Sequence, residues 1–303
     1  MEDFELTLFD RLGVVRDTIA KYGGEGNFYV SFSGGKDSAI ASRLLDEAIP
    51  GNRIPRVYFD TGIEYNAIRA YVLALRESDD RFVIVKPSRP IAKMLREDGY
   101  PFKSKQHSLM LATYQNSGLT KSVKNYLRLS DGGKMQLQCP EILKYQFTPQ
   151  FSLKVSDKCC KNMKKKPALA YERQSGRKVA ITGIRKAEGG QRASIGGCVV
   201  FKGGALHRFH PLFVVSKEWE DWYVQTREIK LCELYYPPYN FKRTGCKGCP
   251  FNPELKRDLE TMQRLLPGEY RQCWAIWGPV YEEYQRVGYR IEPYERGKLI
   301  YDD

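Results

Sequence analysis

The stretch Asn27-Phe-Tyr-Val-Ser-Phe-Ser-Gly-Gly-Lys-Asp-Ser38 decides the fold of this chain. Residues 27–33 form a short, mostly apolar and aromatic run that is typical of a buried strand, and the run breaks at Gly34-Gly35. Residues 38–49 then have the composition and apolar spacing of a helix. A strand, a glycine loop and a helix in this order predict the first crossover of a parallel sheet.

The flanking segments repeat this alternation of helix and strand. Apolar residues at steps of three and four predict an amphipathic helix over 4–22, ended by Gly23-Gly24. We predict further strands and helices in chain order: a strand over 56–60, a helix near 65–76, and strands over 82–86, 178–183 and 211–215, with a helix over 217–229 after them. The pattern predicts an α/β fold with a parallel sheet.

Composition limits the class of protein. With 303 residues, 42% hydrophobic and 28% charged, the chain is neither a disulfide-dependent miniprotein nor a collagen or low-complexity chain. The sequence has no apolar run of the roughly 18 residues that a bilayer span requires, and its start does not resemble a secretory signal. We therefore expect a cytoplasmic protein that has no membrane partner.

Charge and chain organisation suggest partners and domains. The net charge of +13 indicates either polyanionic partners, with phosphate as the first candidate, or a contribution to solubility. We predict one α/β domain over residues 1–235, with a basic insertion at about 103–165. Residues 236–303 are predicted to be a cysteine-bearing C-terminal part, mostly helical or irregular, that packs on this domain.

The loop Ser33-Gly34-Gly35-Lys36-Asp37-Ser38 places several donors at a helix N-terminus. Backbone N–H groups and the helix dipole attract an anion there, and the two glycines let the chain approach it closely. Lys36 can neutralise phosphate, Ser33 and Ser38 can donate hydrogen bonds, and Asp37 can cap the helix or help to hold Mg2+. An ordinary strand-to-helix turn, with serine and aspartate as caps, is the alternative.

Charged residues follow two other predicted strands at the same edge of the sheet. Asp60 ends the second strand and can reach a ribose or Mg2+. Arg185 and Arg192 follow a later strand, and their planar guanidinium groups can each make two hydrogen bonds to phosphate or sulfate. Glu188 lies between them in the sequence as a residue that could orient them. The alternative for these residues is a set of solvated loop charges.

Four of the eight cysteines have metal-ligand spacing. Cys159-Cys160 and Cys246-Lys-Gly-Cys249 are separated by 85 residues. In a reduced compartment such spacing favours a metal site, and an adjacent pair suits the separate irons of a cluster better than one zinc ion. A cluster, zinc and incidental thiols all stay open, while the isolated cysteines are interpreted as small buried hydrophobes: Cys139, Cys198, Cys232 and Cys273.

The loop 33–38 resembles the pyrophosphatase loop of the ATP pyrophosphatase (PP-loop) superfamily. Residues 58–64, 181–192, 210–212 and 219–222 are similar, in this order, to segments of its phosphoadenylylsulfate reductase branch. The resemblance implies an adenine nucleotide alpha hydrolase-like, Rossmann-like fold that uses ATP and Mg2+. It implies catalytic roles for Lys36, Asp37 and Arg185. It implies nucleotide contacts from a larger set: Ser33, Gly34, Gly35, Lys36, Asp37, Ser38, Asp60, Thr61, Gly62, Gly183, Arg185 and Arg192.

The cysteine spacing resembles that of the iron-sulfur adenylylsulfate reductases. In those enzymes an adjacent pair and a distant Cys-x-x-Cys bind one [4Fe-4S] cluster, which implies the same role here for Cys159, Cys160, Cys246 and Cys249. The reductases, however, carry an altered loop and a catalytic cysteine in a C-terminal Glu-Cys-Gly-type motif. Here the loop is complete, and no cysteine follows Cys273.

A complete loop together with four cysteines resembles the ATP pyrophosphatases of DNA phosphorothioation systems and, more loosely, the cluster-bearing tRNA thiolation enzymes. This resemblance implies adenylation of an anionic acceptor for sulfur transfer, with a cysteine desulfurase as sulfur donor and nucleic acid as substrate, DNA ahead of tRNA. Two alternatives stay open: a sulfonucleotide reductase that uses Cys273 or a partner's thiol, and a non-catalytic nucleotide- or nucleic-acid-binding module. A homodimer is left open as the assembly.

Overall fold

The computed structural model describes residues 4–129, 137–189, 192 and 194–293. The chain divides into two compact units: unit 1 comprises Met1–Pro87 and Lys166–Gly245, and unit 2 comprises Ser88–Lys165 and Cys246–Asp303. Residues 130–136 of the predicted basic insertion lie outside the described residues. The predicted domain boundary at residue 235 stays a prediction.

A six-stranded sheet forms the centre of unit 1. Its strands are β1 (Phe28–Phe32), β2 (Arg56–Phe59), β3 (Phe82–Val85), β4 (Val179–Ile181), β5 (Val199–Lys202) and β6 (Ala205–Phe209). Their order is β3-β2-β1-β4-β6-β5, and every pair is parallel except β5 with β6. The predicted α/β fold with a mostly parallel sheet is confirmed.

The α-helices of the described residues follow in chain order. They are α1 (Phe4–Lys21), α2 (Lys36–Ala48), α3 (Asn66–Ser78), α4 (Ile91–Asp98), α5 (Lys105–Ser117), α6 (Lys121–Leu127), α7 (Lys166–Ser175), α8 (Lys217–Thr226), α9 (Leu255–Leu265) and α10 (Pro267–Arg286). None of them is both long and apolar enough to cross a membrane.

The strand order places a topological switch point in unit 1. From β1 the chain proceeds to β2 and β3 on one side of the sheet, and β4 pairs with β1 on its other side. In β1 the side chains of Phe28, Tyr29, Val30 and Phe32 are buried, as expected for a central parallel strand. Ligands of open α/β sheets bind at the carboxyl ends of strands beside such a point, which here are the ends of β1 and β4.

The strand predicted over 211–215 is wrong. Residues 211–214 form turns, and the strand that pairs with β4 is β6, which ends before them. Pro211 has no N–H with which to join a ladder of hydrogen bonds. The chain instead makes a β5–β6 hairpin around Gly203-Gly204, and both glycines have positive φ angles, 57° and 79°. Two consecutive residues of this kind favour a tight hairpin turn.

Unit 2 is mostly helical. It contains α4, α5, α6, α9 and α10, and the strand-like pairing among its described residues is a single parallel bridge between Tyr100 and Val155. His107 is fully buried in its core and makes hydrogen bonds with Tyr126 and Gln146. The helices α9 and α10 confirm the helical character predicted for the cysteine-bearing C-terminal part.

Candidate functional site

The loop between β1 and α2 has a conformation that its glycines and serines determine. Gly34 has a φ of +73°, and a Cβ at this position would lie 2.7 Å from Cγ2 of Ile68, so a larger residue does not fit. The hydroxyl of Ser38 donates to the carbonyl of Gly35 at 2.8 Å and accepts the N–H of Ser33 at 3.2 Å. The serine predicted to donate to phosphate thus also fixes the loop itself.

The N-terminus of α2 presents backbone donors at the carboxyl end of β1. The helix begins at Lys36, so the N–H groups of Asp37 and Ser38 fall in its first turn, where an α-helix offers no internal acceptor. Their partial positive charge adds to that of the helix dipole. This end of α2 is therefore suited to bind an anion such as phosphate.

Four charged side chains meet beside this helix end. Glu220, at the start of α8, is fully buried. One of its carboxylate oxygens lies 2.8 Å from Nε of Arg185, and the other lies 3.5 Å from Nζ of Lys36. Lys36 also donates a hydrogen bond to Asp221 at 2.9 Å. Two predicted catalytic residues, Lys36 and Arg185, are thus brought together by a carboxylate between them.

The carboxyl group of Glu220 has an unusually high pKa. Burial raises the pKa of Glu220 to about 7, and the charge of Asp37 adds to the effect, while Arg185 and Lys36 oppose it. Both Glu220 oxygens and the Nε of Arg185 are buried and make no hydrogen bond within the described residues. The Arg185–Glu220 contact is thus a buried ion pair of poor hydrogen-bond geometry.

Asp37 and Glu188 form a second charged group at the same helix end. Burial raises the pKa of Asp37, and the nearby charge of Glu188 raises it further. Glu188 forms ion pairs with Arg192 and, at 3.1 Å, with Arg243. The charges of Arg185, Lys36 and Arg192 oppose this effect, so Asp37 is the carboxylate of this group that could contribute to a Mg2+ site, together with substrate phosphates.

The predicted residues after β2 form a separate, internally bonded turn. Asp60 is 6% exposed, accepts the N–H of Gly62 at 3.1 Å and lies 3.3 Å from Nε of Arg69. Glu64 accepts both the N–H and the hydroxyl of Thr61, at 3.0 and 2.7 Å. The hydrogen bonds and ion pairs that Asp60 and Glu64 make with other described residues therefore lie within this turn and α3, and none of them involves the loop 33–38.

Sequence reasoning assigned no role to several residues that contact the loop. Glu220 and Asp221 contact Lys36 through their side chains, and the hydroxyl of Tyr235 accepts the N–H of Lys36 at 3.0 Å. Thr244 lies 2.6 Å from the same hydroxyl. A signal for the acidic pair exists in the sequence, because an N-cap serine at 216 followed by acidic residues marks the first turn of a helix.

The four cysteines predicted to bind metal all belong to unit 2. Burial raises the pKa of Cys159, and the charges of Cys246, Cys160 and Cys249 raise it further. Burial likewise raises the pKa of Cys249, with contributions from Cys246 and Cys160. The four thiols therefore lie close enough to interact electrostatically, as a shared anionic ligand set would.

This arrangement does not match a single-ion site. In the described part of the chain, no three His, Cys, Asp or Glu side chains are grouped so that they could hold one metal ion. The four thiols nevertheless have the right chemistry for iron.

The helix α10 holds the backbone of the second cysteine pair. Its side chains donate to three carbonyls of the segment 246–250: Nε1 of Trp277 to Lys247 at 3.0 Å, the hydroxyl of Tyr281 to Gly248, and the hydroxyl of Tyr284 to Pro250 at 3.0 Å. These donors are spaced by four and three residues, so they share one face of the helix. The cysteine segment is thereby fixed by three hydrogen bonds from one helix.

Packing around Gly248 explains the small residue between the two cysteines. Gly248 has a φ of +61°, and a Cβ there would lie 2.9 Å from Cβ of Cys273. The side chain of Lys247 is turned inwards, where Nζ lies 3.3 Å from Glu269 and donates to Gln272 at 2.6 Å. Both residues of the Cys-x-x-Cys interval thus have structural partners within unit 2.

Cys273 is a poor candidate for a nucleophile. Its side chain is fully buried, and burial raises its pKa to about 12. A catalytic thiol needs solvent or substrate access and a lowered pKa. Cys139 and Cys232 are also buried, while the partly exposed sulfur of Cys198 accepts a hydrogen bond from Arg11 at 3.4 Å.

Comparison with protein families gives one match. Residues 141–252 match the model of the phosphoadenosine phosphosulfate reductase domain. The matched segment includes Arg185, Arg192, Glu220 and all four candidate cluster cysteines, whereas the loop 33–38 lies outside it. No curated protein matches the chain.

Solved structures show limited similarity. A phosphoadenylyl-sulfate reductase from Candida auris has 13% identity and a TM-score of 0.46, with 78% of this chain and 87% of that one covered. An NH3-dependent NAD synthetase from Campylobacter jejuni has 14% identity and a TM-score of 0.40, with coverages of 97% and 100%. The U34-tRNA thiolase NcsA from Methanococcus maripaludis, solved with its [4Fe-4S] cluster, has 16% identity and a TM-score of 0.39, with coverages of 92% and 80%. Similarity at this level does not decide function, which has to be argued from the site.

Proposed function

We propose that this protein is an ATP pyrophosphatase that adenylates an anionic acceptor. One observation carries the proposal: Lys36, Asp37 and Arg185 surround the N-terminus of α2 at the topological switch point of the sheet. The first-turn amides, the two cations and the glycine loop provide a site for the triphosphate. In this proposal, Asp60 and the turn Thr61-Gly62 contact the nucleoside or the Mg2+ ion.

The chemistry requires charge stabilisation more than acid–base catalysis. An oxygen of the acceptor attacks the α-phosphorus of ATP, the bond to the β-phosphate oxygen breaks, and pyrophosphate leaves. Lys36 and Arg185 would bind the phosphate oxygens on which negative charge develops, together with the loop amides and Arg192. Mg2+, bound through Asp37 with Glu188 nearby, would neutralise part of the charge of the leaving pyrophosphate.

The second part of the proposal is a [4Fe-4S] cluster bound by Cys159, Cys160, Cys246 and Cys249. It is supported by the mutual electrostatic interaction of the four thiols and by the fixed backbone of residues 246–250. Thiolate ligands of this number and softness suit iron. The cluster would supply either a structural link or redox and sulfur chemistry.

The acceptor is proposed to be nucleic acid, DNA ahead of tRNA, in a sulfur transfer that uses a cysteine desulfurase as donor. The sequence supports this assignment through its combination of a complete loop with four cysteines. The net charge of +13 supports a polyanionic acceptor. Within unit 2, Lys158, Lys161, Lys164 and Lys165 lie beside the first cysteine pair.

A sulfonucleotide reductase is the second candidate, because the family match to residues 141–252 favours it. Such a reaction needs a thiolate that attacks the sulfonate sulfur. The buried Cys273, with its raised pKa, is unsuited to this step, so the reductase would depend on a thiol from a partner.

The test is an assay of pyrophosphate release by anaerobically purified protein supplied with ATP, magnesium and either duplex DNA or tRNA. Acceptor-dependent release that Lys36→Ala abolishes and Lys202→Ala leaves unchanged would support the proposal, since Lys202 is exposed on β5. Sulfite release from adenylylsulfate with thioredoxin, without pyrophosphate release from ATP, would favour the reductase. Nucleic-acid binding with neither product would favour a non-catalytic module.

A further inference from the structure

The N–H of Lys36 already has an acceptor in the protein. This amide is the first of helix α2, and it donates to the hydroxyl of Tyr235 at 3.0 Å. The same hydroxyl would lie 3.1 Å from a Cβ placed on Gly35. Tyr235 therefore covers the glycine and the amide that an anion at this helix end would approach.

A backbone amide has a single hydrogen, so its acceptors compete. A phosphate oxygen at the start of α2 requires the first amides of the helix, including that of Lys36. A hydrogen bond to an ionised acceptor is roughly twice as strong as one to a neutral hydroxyl. Phosphate can therefore displace the phenol, but its affinity is reduced by the free energy of the bond that it replaces.

Buried neighbours and a second hydroxyl hold the phenol in place. Leu234 and Phe241, on either side of Tyr235 in sequence, are both buried, and the N–H of Phe241 donates to the carbonyl of Leu234 at 2.8 Å. The hydroxyl of Thr244 lies 2.6 Å from that of Tyr235. The contact with Lys36 thus comes from an anchored segment of unit 1.

We propose that Tyr235, supported by Thr244, competes with the nucleotide phosphates for the amide of Lys36 and so sets the affinity of this site. The inference rests on the proposed function, because it assumes that the helix end binds a nucleoside triphosphate or pyrophosphate. It adds that the affinity of the helix end for a nucleotide depends on the position of the segment 232–244, which carries Tyr235. A nucleotide phosphate that accepts the N–H of Lys36 must displace the phenol from it.

The test is the dissociation constant of inorganic pyrophosphate and of Mg–ATP, measured by calorimetry on the whole chain. Tyr235→Phe removes the competing oxygen and keeps the ring. We expect it to bind both ligands about two- to tenfold more tightly, the range that corresponds to one hydrogen bond. Thr244→Val, which removes the second hydroxyl with little change of shape, should act in the same direction.

Tyr236→Phe is the matched control, because Tyr236 is the exposed neighbour and its hydroxyl contacts Leu231 instead. Unchanged or weaker binding by Tyr235→Phe would overturn the inference, and weaker binding would make the phenol a ligand of the phosphate. Binding by Tyr235→Phe with none by the wild type would support it. If neither protein binds pyrophosphate or ATP, the proposed function fails together with the inference.

Discussion

Gly183 lies directly against the backbone of Asp37. A Cβ on Gly183 would be 2.4 Å from the carbonyl oxygen of Asp37 and 2.6 Å from its carbonyl carbon. The chain that follows β4 thus passes the first turn of α2 with no room for a side chain. This contact sets how closely Arg185, two residues later, approaches the loop.

We therefore expect Gly183→Ala to destabilise the protein. The obstacle is backbone, which cannot rotate away, and overpacking of this kind costs about 1–3 kcal/mol. The measurement is the free energy of unfolding in urea. Gly196→Ala is the control, since a Cβ there meets nothing within 4 Å and should have little effect. Equal stability of the two variants would show that α2 and the segment after β4 can separate at no cost.

Glu220→Gln should change the dependence of stability on pH. Burial, together with Asp37, raises the pKa of Glu220 from 4.5 to about 7 against the opposing charges of Arg185 and Lys36. A carboxyl whose pKa is higher in the folded than in the unfolded protein stabilises the fold at low pH, and that contribution is lost as the pH rises. Relative to the variant, the wild type should lose about 1–3 kcal/mol between about pH 5 and about pH 8.

The matched control for this experiment is Glu233→Gln, which alters an exposed carboxylate of the same unit. Its stability curve should run parallel to that of the wild type across the pH range. A Glu220→Gln curve that also runs parallel to the wild type would contradict the raised pKa.

Cys246→Ser should remove the visible absorption of the iron–sulfur cluster. The substitution takes away one of four thiols that interact with one another, and a cluster held by three loses a ligand. Iron content and absorption are measured on anaerobically purified protein. Cys198→Ser changes a sulfur that contacts Arg11 in unit 1, so this variant should stay coloured. A colourless wild type with one zinc ion per chain would show that the assignment to iron is wrong.

Tyr284→Phe should weaken unit 2 and its cysteine segment. The buried Tyr284 hydroxyl accepts the N–H of Lys103 at 2.8 Å and donates to the carbonyl of Pro250 at 3.0 Å. Its removal leaves the N–H of Lys103 without its acceptor and the carbonyl of Pro250 with the hydrogen bond from Arg290 alone, and a buried unsatisfied group costs about 1–3 kcal/mol. Urea unfolding and the rate of iron release to a chelator measure the two effects.

Tyr289→Phe provides the comparison, because the Tyr289 hydroxyl has no hydrogen bond among the described residues while its ring packs on Tyr284. If both substitutions released iron at the same rate, the hydroxyl of Tyr284 would have no part in holding the segment 246–250.

The first part of the fold was predictable because its signals are local. Buried parallel strands are short apolar runs, and Gly34 marks where β1 ends, so β1, β2, β3 and β4 fall within the predicted ranges. The helices α5 and α6 have weaker apolar periodicity and were missed within the basic insertion. Their N-caps, Ser104 and Thr120, were available as signals, since each side chain accepts the N–H three residues later.

The site was only partly predictable, because its remaining contacts depend on tertiary structure. Nothing in the order Glu218, Trp219, Glu220, Asp221 tells which carboxylate faces Lys36, since that depends on the rotation of α8 against the sheet. Tyr235 and Thr244 lie in an irregular segment with no periodicity to analyse. The role of Asp60 in binding nucleotide stays a prediction.

Unit 2 is formed by two segments that are separated in the sequence, and this affects the order in which its parts are synthesised. Residues 88–165 leave the ribosome well before the segment that they pack with, which begins only at Cys246. The 80 residues between them, 166–245, supply β4, β5 and β6 and so finish the sheet of unit 1 in the meantime. Cys159 and Cys160 are therefore synthesised before Cys246 and Cys249, so the proposed cluster could be completed only after residues 166–245 have been made.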